Sequence, residues 1–349
     1  MPALLRTGLC DLLGIELPIL SAGMGSVAGP DLVAAVSNAG GFGVLGVSGS
    51  SPGGVRAKIE ATRALTGRPF GANVIIDEEN WATSEEDRAL IRAEVESAAE
   101  AGAAAVVVFW GDPAPFVPLA HAHGAALIVQ VGSVGEAEAA AGAGVDAIIV
   151  QGVEAGGHVL GTESIWELLP AAVDAVAPLP VLASGGIGDG AGIARAFQLG
   201  AQGVSIGTRF VAADESNALP EYKRRIVESA AEDTVYTEDL YDLWWPGAPT
   251  RTLRNRNFDE WVAAGRPASG HRPGEGTTIG TMRLPSGDTY AMPRYAGAGS
   301  PVVGFEGDLD YMAMWAGESV GLVNDVRPAA EIVARLAADA AATLEAAST

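Results

Sequence analysis

Eight short apolar runs within the first 210 residues, each followed by glycine-rich turns and an alanine-rich stretch, constrain this chain more than any other feature. They are Pro18–Gly23, Phe42–Val47, Phe70–Ile75, Ala105–Trp110, Ala126–Val131, Ala147–Gly152, Pro180–Gly185 and Gly203–Thr208. Most are apolar at successive positions instead of alternating, which is the pattern of parallel strands covered on both faces. Helical stretches fill the gaps. Asp31–Ala39 opens on Asp and closes before Gly40-Gly41, and Ser133–Ala141 starts on Ser and ends before Gly142. Eight such units predict an α/β fold, a (β/α)8 TIM barrel over residues 1–212, with an open doubly wound sheet as the alternative.

Beyond residue 212 the rhythm stops. Residues 213–300 are richer in Trp, Tyr, Arg and Pro, with Trp244-Trp245-Pro246 and Thr252–Arg256 as landmarks, and read as a mainly helical accessory segment over the barrel mouth. Within 301–349, Asp308–Ala316 and Pro328–Ala346 give two more helical patterns, expected to return to the barrel wall. At 349 residues and 48% hydrophobic content, one large core suffices. Cys10 is the sole cysteine and reads as a small apolar residue, so an intrachain disulfide and a thiolate metal cluster are both excluded. Forty-three acidic against 21 basic residues give a net charge of −22, which repels nucleic acid and anionic membranes. No signal-like start and no membrane-length apolar run occurs, so a soluble cytoplasmic protein is expected, with a homodimer allowed.

The last two runs end in Ser184-Gly185-Gly186-Ile187 and Ser205-Ile206-Gly207-Thr208, at the rim where barrels commonly hold phosphate. Glycine lets backbone N–H groups come close to phosphate oxygens, although any one glycine is equally explained by a tight turn. Gly188-Asp189-Gly190 reads as a turn and helix cap. The sixth run leads into Gln151–His158, whose glycines Gly156 and Gly157 deliver His158 to the same rim, where an imidazole can move a proton near neutral pH. Asn73, Gln130 and Gln151 are amides within apolar strands, each needing a partner: a buried backbone group or water could serve, and the N- and O-rich edge of an isoalloxazine ring or a ribityl chain suits them at least as well. His121 and His123 precede the fifth run with no apparent carboxylate and read as surface residues, so no metal site is expected. Trp244 and Trp245 pack the accessory segment or line an entrance.

Together these motifs resemble nitronate monooxygenases, formerly 2-nitropropane dioxygenases, and the related FMN-dependent enoyl-ACP reductases. The resemblance runs from Pro18-Ile19 through Gly23-Met24, Phe70–Asn73, Gln151–His158, Ser184–Ile187, Gly207–Phe210 and Leu253–Asn255 to Trp315–Val323, and Glu154–His158 is its most specific part. It implies FMN as cofactor, held by Asn73, Gln151, Gly156, Gly186, Ser205, Ile206, Gly207 and Thr208, with His158 as the active-site histidine; Gly23, Met24, Gln130, Gly157 and Gly185 complete the expected cofactor-binding set. The activity it implies is oxidation of alkyl nitronates or nitroalkanes by O2 to a carbonyl compound and nitrite. The alternatives are NAD(P)H-dependent reduction of quinones or enoyl thioesters on the same site, and a flavin-binding barrel without catalysis. Two departures stand out. Ser21-Ala22-Gly23-Met24 replaces the usual Gln-x-Pro-Met, and His158-Val159-Leu160-Gly161 is one residue longer than the usual His-x-Gly.

Overall fold

The computed structural model describes residues 3–284, 287–297 and 299–348. All eight expected strands form, as β1 (Ile19–Ser21), β2 (Val44–Gly46), β3 (Gly71–Ile75), β4 (Ala105–Phe109), β5 (Ala126–Val131), β6 (Ala147–Gln151), β7 (Val181–Ser184) and β8 (Gly203–Ile206). They make one parallel sheet in which the strands from β2 to β8 each lie beside their sequence neighbours and β8 lies beside β1. A parallel bridge between Leu20 and Phe42, with Ser21 N–H donating to Phe42 C=O at 3.0 Å, brings β1 against the run that leads into β2. The fold is therefore a (β/α)8 barrel.

Two apolar layers explain the unbroken hydrophobic runs. Leu20, Val44, Val107, Ile128, Ile149 and Leu182 point inward and meet Leu9, Cys10 and Leu13 of the helix Gly8–Leu13, so the sole cysteine is buried among apolar side chains. Side chains at alternate positions point outward against the helices. Ser133 caps the helix Val134–Ala143 through its hydroxyl, as its position suggests. Asp31 falls in the first turn of Pro30–Asn38, where it complements the helix dipole, and Gly29 occupies the cap.

After β8 only the four-residue helix Thr208–Val211 follows. The helix that completes the outer ring comes instead from Ala329–Ser348, packed between Gly190–Gln198 and Pro30–Asn38. Gly190 allows that approach, since a Cβ there would lie 2.4 Å from Cβ of Asp339. The intervening residues thus form an excursion between the last strand and the last helix. Alongside helices Pro220–Glu228 and Arg256–Ala263 it adds strands that the expectation of a mainly helical segment did not contain: Thr234–Thr237, Thr250–Leu253, Thr278–Arg283 and Thr289–Pro293. These short Thr-rich runs pair into two small three-stranded sheets, with Thr250–Leu253 and Thr278–Arg283 at their centres, supported by packing and not by length. Asp308–Ala316 corrects in the same way. It holds one 3-10 turn, Leu309–Tyr311, capped by Asp308, before the chain becomes extended. Among the described residues no helix is long and apolar enough to cross a membrane.

Candidate active site

The carboxyl ends of the barrel strands surround a cavity of about 310 Å³, within the range of small-molecule sites. His158 lines it, as do the predicted cofactor residues Gly23, Met24, Asn73, Gln130, Gln151, Gly156, Gly157, Gly185, Gly186, Ser205, Gly207 and Thr208. Ile206 does not. Because side chains alternate along β8, Ser205 and Gly207 face the cavity while Ile206 packs into the layer beneath the helices, its carbonyl accepting from Ala22 N–H at 2.9 Å.

The loop carrying His158 is fixed at several points. Its residues Gly157–His158 pair antiparallel with Arg251 and Thr250, which makes the loop the third strand of a small sheet with Thr250–Leu253 and Thr234–Thr237. Gln151 spans the loop's return: its Nε2 donates to His158 C=O at 3.0 Å, and its Oε1 accepts from Leu160 N–H at 2.8 Å. Leu160, the additional residue after His158, is thereby anchored. Glu154 accepts from Ser164 Oγ at 2.5 Å and Ile165 N–H at 3.0 Å, tying the loop to the next helix start. Arg251 donates to Val153 C=O at 2.9 Å and pairs with Glu318 at 3.2 Å. Gly156 is required for packing, because a Cβ would lie 2.3 Å from the backbone N of Gly317.

The imidazole of His158 sits 4.1 Å from the Trp245 ring and 5.2 Å from that of Trp315. Its Nε2 is buried and has no partner. Burial among these rings disfavours the charged form and pulls its pKa down to about 3, so the ring is neutral at ordinary pH. Trp245 is buried and lines the cavity, whereas Trp244 beside it is exposed. Trp81 and Trp315 extend the aromatic wall.

At the end of the neighbouring strand, Gly185 and Gly186 both have positive φ, +99° and +69°, which L side chains rarely adopt. Neither N–H donates to another described residue, and at Gly207 a Cβ would meet nothing nearer than 3.8 Å. Backbone is thus bared to the cavity at the ends of both β7 and β8. Asp189 caps the helix that follows β7, accepting from Gly192 N–H at 2.8 Å, which accounts for Gly188-Asp189-Gly190. Of the three amides, Asn73 donates to Val107 C=O at 2.9 Å and Gln151 holds the loop. Gln130 has no partner among the described residues and faces the cavity. Gly23 makes room for Asn73, since a Cβ would come within 2.4 Å of Cβ of Asn73.

These features fit a flat heteroaromatic ligand with an anionic tail: an unpartnered imidazole, a free amide and bared glycine backbone converge on one cavity. Sequence reasoning passed over Lys58, Tyr222 and the junction at Gly317, whose N–H donates to Thr208 Oγ1 at 3.0 Å. Lys58 was detectable as one of only two lysines. His121, in contrast, does have a carboxylate, with Nε2 2.8 Å from Asp146 Oδ2. Asp146 precedes β6, and parallel pairing sets it beside Leu127, whose N–H it also accepts. No group of three or more His, Cys, Asp or Glu side chains fit to hold a metal occurs among the described residues.

The family model of nitronate monooxygenase matches residues 6–339. The chain is 32% identical to the (3aS,4S,5R,7aS)-5-hydroxy-7a-methyl-1-oxo-octahydro-1H-indene-4-carboxyl-CoA dehydrogenase of Rhodococcus jostii, over 98% of each chain. It is also 32% identical to a nitronate monooxygenase of Paraburkholderia phytofirmans, covering 95% of this chain and 94% of that one. Among solved structures, the nitroalkane oxidase of Streptomyces ansochromogenes superposes with a TM-score of 0.77 at 28% identity, covering 98% of this chain and 100% of the other.

Proposed function

Because the chain belongs to the nitronate monooxygenase family and is an oxidoreductase, we propose that it binds FMN in the barrel cavity and oxidises alkyl nitronates with O2 to a carbonyl compound and nitrite. The observation that carries this reading is the convergence on one cavity of His158, whose buried Nε2 has no partner, and of bared glycine backbone at the ends of β7 and β8. Gly185, Gly186, Gly207 and Thr208 would hold the phosphate, and Gln130 and Asn73 the ring edge. When bound, the flavin supplies the electron acceptance and the reaction with oxygen.

The chain's own residues orient the substrate. A neutral imidazole whose pKa lies near 3 is a weak base for removing a carbon-bound proton, but it donates or accepts one hydrogen bond at each nitrogen. We therefore assign His158 the task of hydrogen-bonding an already ionised nitronate. Trp245 and Trp315 confine the imidazole, and Gln151 fixes the backbone on both sides of it.

Steady-state rates with ethylnitronate and with neutral nitroethane test this. Turnover of the nitronate should greatly exceed that of the neutral compound, and His158→Ala should impair the nitronate reaction while retaining FMN. Full activity of the flavin-loaded variant on both substrates would refute the role.

A second reading draws on the aromatic wall and on the likeness to a carboxyl-CoA dehydrogenase with a bicyclic substrate. It is redox chemistry on a bulky acyl thioester, with NAD(P)H or the thioester reducing the flavin. Anaerobic bleaching separates the two: reduction by NADH, NADPH or an acyl-CoA but not by nitronate favours the thioester.

A further inference from the structure

The chain carries 43 acidic side chains, yet no carboxylate lines the cavity among the described residues, and a single Lys or Arg does: Lys58. It is one of two lysines in the sequence. Its position on the inner face of the helix Pro52–Leu65 brings Nζ over the end of β2, where it donates to Gly46 C=O at 3.0 Å and Ser50 Oγ at 3.1 Å. An ammonium has three donors, so one remains for an occupant of the cavity. Both recorded partners are neutral, and the stem is packed, so the charge is held in place and not discharged by an ion pair on the cavity side.

Behind Lys58 lies Glu94 of the helix Glu85–Glu100, almost fully buried, with Oε1 lacking any partner. The two interact electrostatically. Desolvation raises the Glu94 carboxyl to about 8 and lowers the Lys58 ammonium, so at neutral pH the carboxyl is largely protonated and leaves the Lys58 charge uncancelled. Neither residue serves the scheme above.

We infer that Lys58 is the anion-holding residue of this cavity, carrying the negative charge that the reaction places there, with Gly46 and Ser50 positioning its ammonium and Glu94 accepting from the backbone of Gly49 and Ser50. The inference rests on the flavin reading above. Two sources of that charge share the chemistry: the reduced flavin, which gains two electrons and one proton and so carries one negative charge, and an anionic substrate. A fixed cation in a site poor in water stabilises either one more than it would in bulk solvent.

Lys58→Met and Lys58→Gln distinguish charge from scaffolding. Both keep a long side chain, both remove the charge, and Gln retains a donor for Gly46 C=O. Each flavin-loaded protein is measured in two ways: the reduction equilibrium of bound flavin against a reference dye without substrate, and the dissociation constant of nitrate, a planar anion resembling the nitronate head, on the oxidised enzyme. Circular dichroism and Tm monitor folding. Lys58 as proposed requires at least a tenfold loss in one measurement for both variants, a fall of 29.6 mV or more if the loss is in the two-electron equilibrium. A loss in the first places the charge on the flavin, and a loss in the second places it on the substrate. Unchanged values in both, or a loss for Met that Gln restores, overturn the proposal and leave Lys58 as a strut for residues 46–50. Protein that takes up no flavin overturns the functional reading as well, and its lack of visible absorbance marks that case apart.

Discussion

The ring of His158 rests 4.1 Å from that of Trp245, and Trp245 is in turn held by Asp77, its Nε1 donating to Asp77 Oδ2 at 2.7 Å. Asp77 follows β3 and also accepts from the N–H groups of Glu79 and Asn80, both at 2.9 Å. Through this chain a turn of the barrel sets the bed of a residue across the cavity. Trp245→Phe keeps an aromatic ring beside His158 but leaves buried Asp77 Oδ2 with only the long 3.4 Å bond from Asn80 Nδ2, so denaturant titration should show a loss of about 1–3 kcal/mol. Nitronate turnover should fall several-fold as the imidazole loosens. Unchanged stability would mean that the Asp77 contact contributes nothing.

Gln151→Leu removes both hydrogen bonds that span the His158 loop, with side-chain volume nearly kept. Two half-buried backbone groups then lose these partners, at up to about 1–3 kcal/mol each. The Tm should drop by several degrees, and proteolysis should cut the loop sooner. Retained Tm with lost flavin would instead make Gln151 a direct ligand contact.

Gly207→Ala and Gly185→Ala separate space from strain. At Gly207 the added methyl meets nothing nearer than 3.8 Å, so the ligand-free protein should keep its Tm while FMN affinity falls at least tenfold. At Gly185 the backbone has φ +99° and the methyl would come 3.1 Å from Ala155 N and Gly152 C=O, so stability should fall by about 1–3 kcal/mol. Equal affinity of Gly207→Ala and the parent for FMN would remove β8 from the phosphate site.

Two buried groups make stability depend on pH in opposite senses. His158, held at about 3 against 6.5, contributes fully above pH 6.5, and that contribution is lost as pH falls because only the unfolded chain takes up the proton. Glu94, raised from 4.5 to about 8, contributes fully below pH 4.5, and that contribution is lost as pH rises through 8 because only the folded chain keeps the proton. Between pH 6.5 and 8 the Glu94 decline is unopposed by His158. Tm should fall across that window, by at most about 1.4 kcal/mol per pH unit in stability terms. Glu94→Gln should flatten that limb, and an equally steep limb in the variant would reject this assignment.

Much of this was legible in the residues because burial on both faces leaves a plain signature. Runs such as AVVVF and AIIVQ cannot be solvent-facing strands, and eight of them require closure or a very wide sheet. The rim glycines were legible for a similar reason, since a turn and a ligand approach demand the same residue. The strands of the excursion were not. Thr250–Leu253 owes its form to pairing with Gly157–His158, almost one hundred residues away, and four residues carry no period strong enough to announce that. The side chain of Ile206 lies away from the cavity because the strand alternates, which a motif read as one block does not reveal. The carboxylate beside His121 came from a residue 25 positions later in the chain, which only the parallel register brings near.

The excursion leaves the barrel after β8 and rejoins it at Ala329, so it is moored at both ends to neighbouring parts of one wall. Such a cassette can change in length and content without disturbing the order in which the barrel strands meet. Yet it supplies Trp245, Trp315 and the strand against which the His158 loop pairs. Substrate range can therefore diverge by rewriting this insert alone, while the eight strands and the bared glycines are inherited intact.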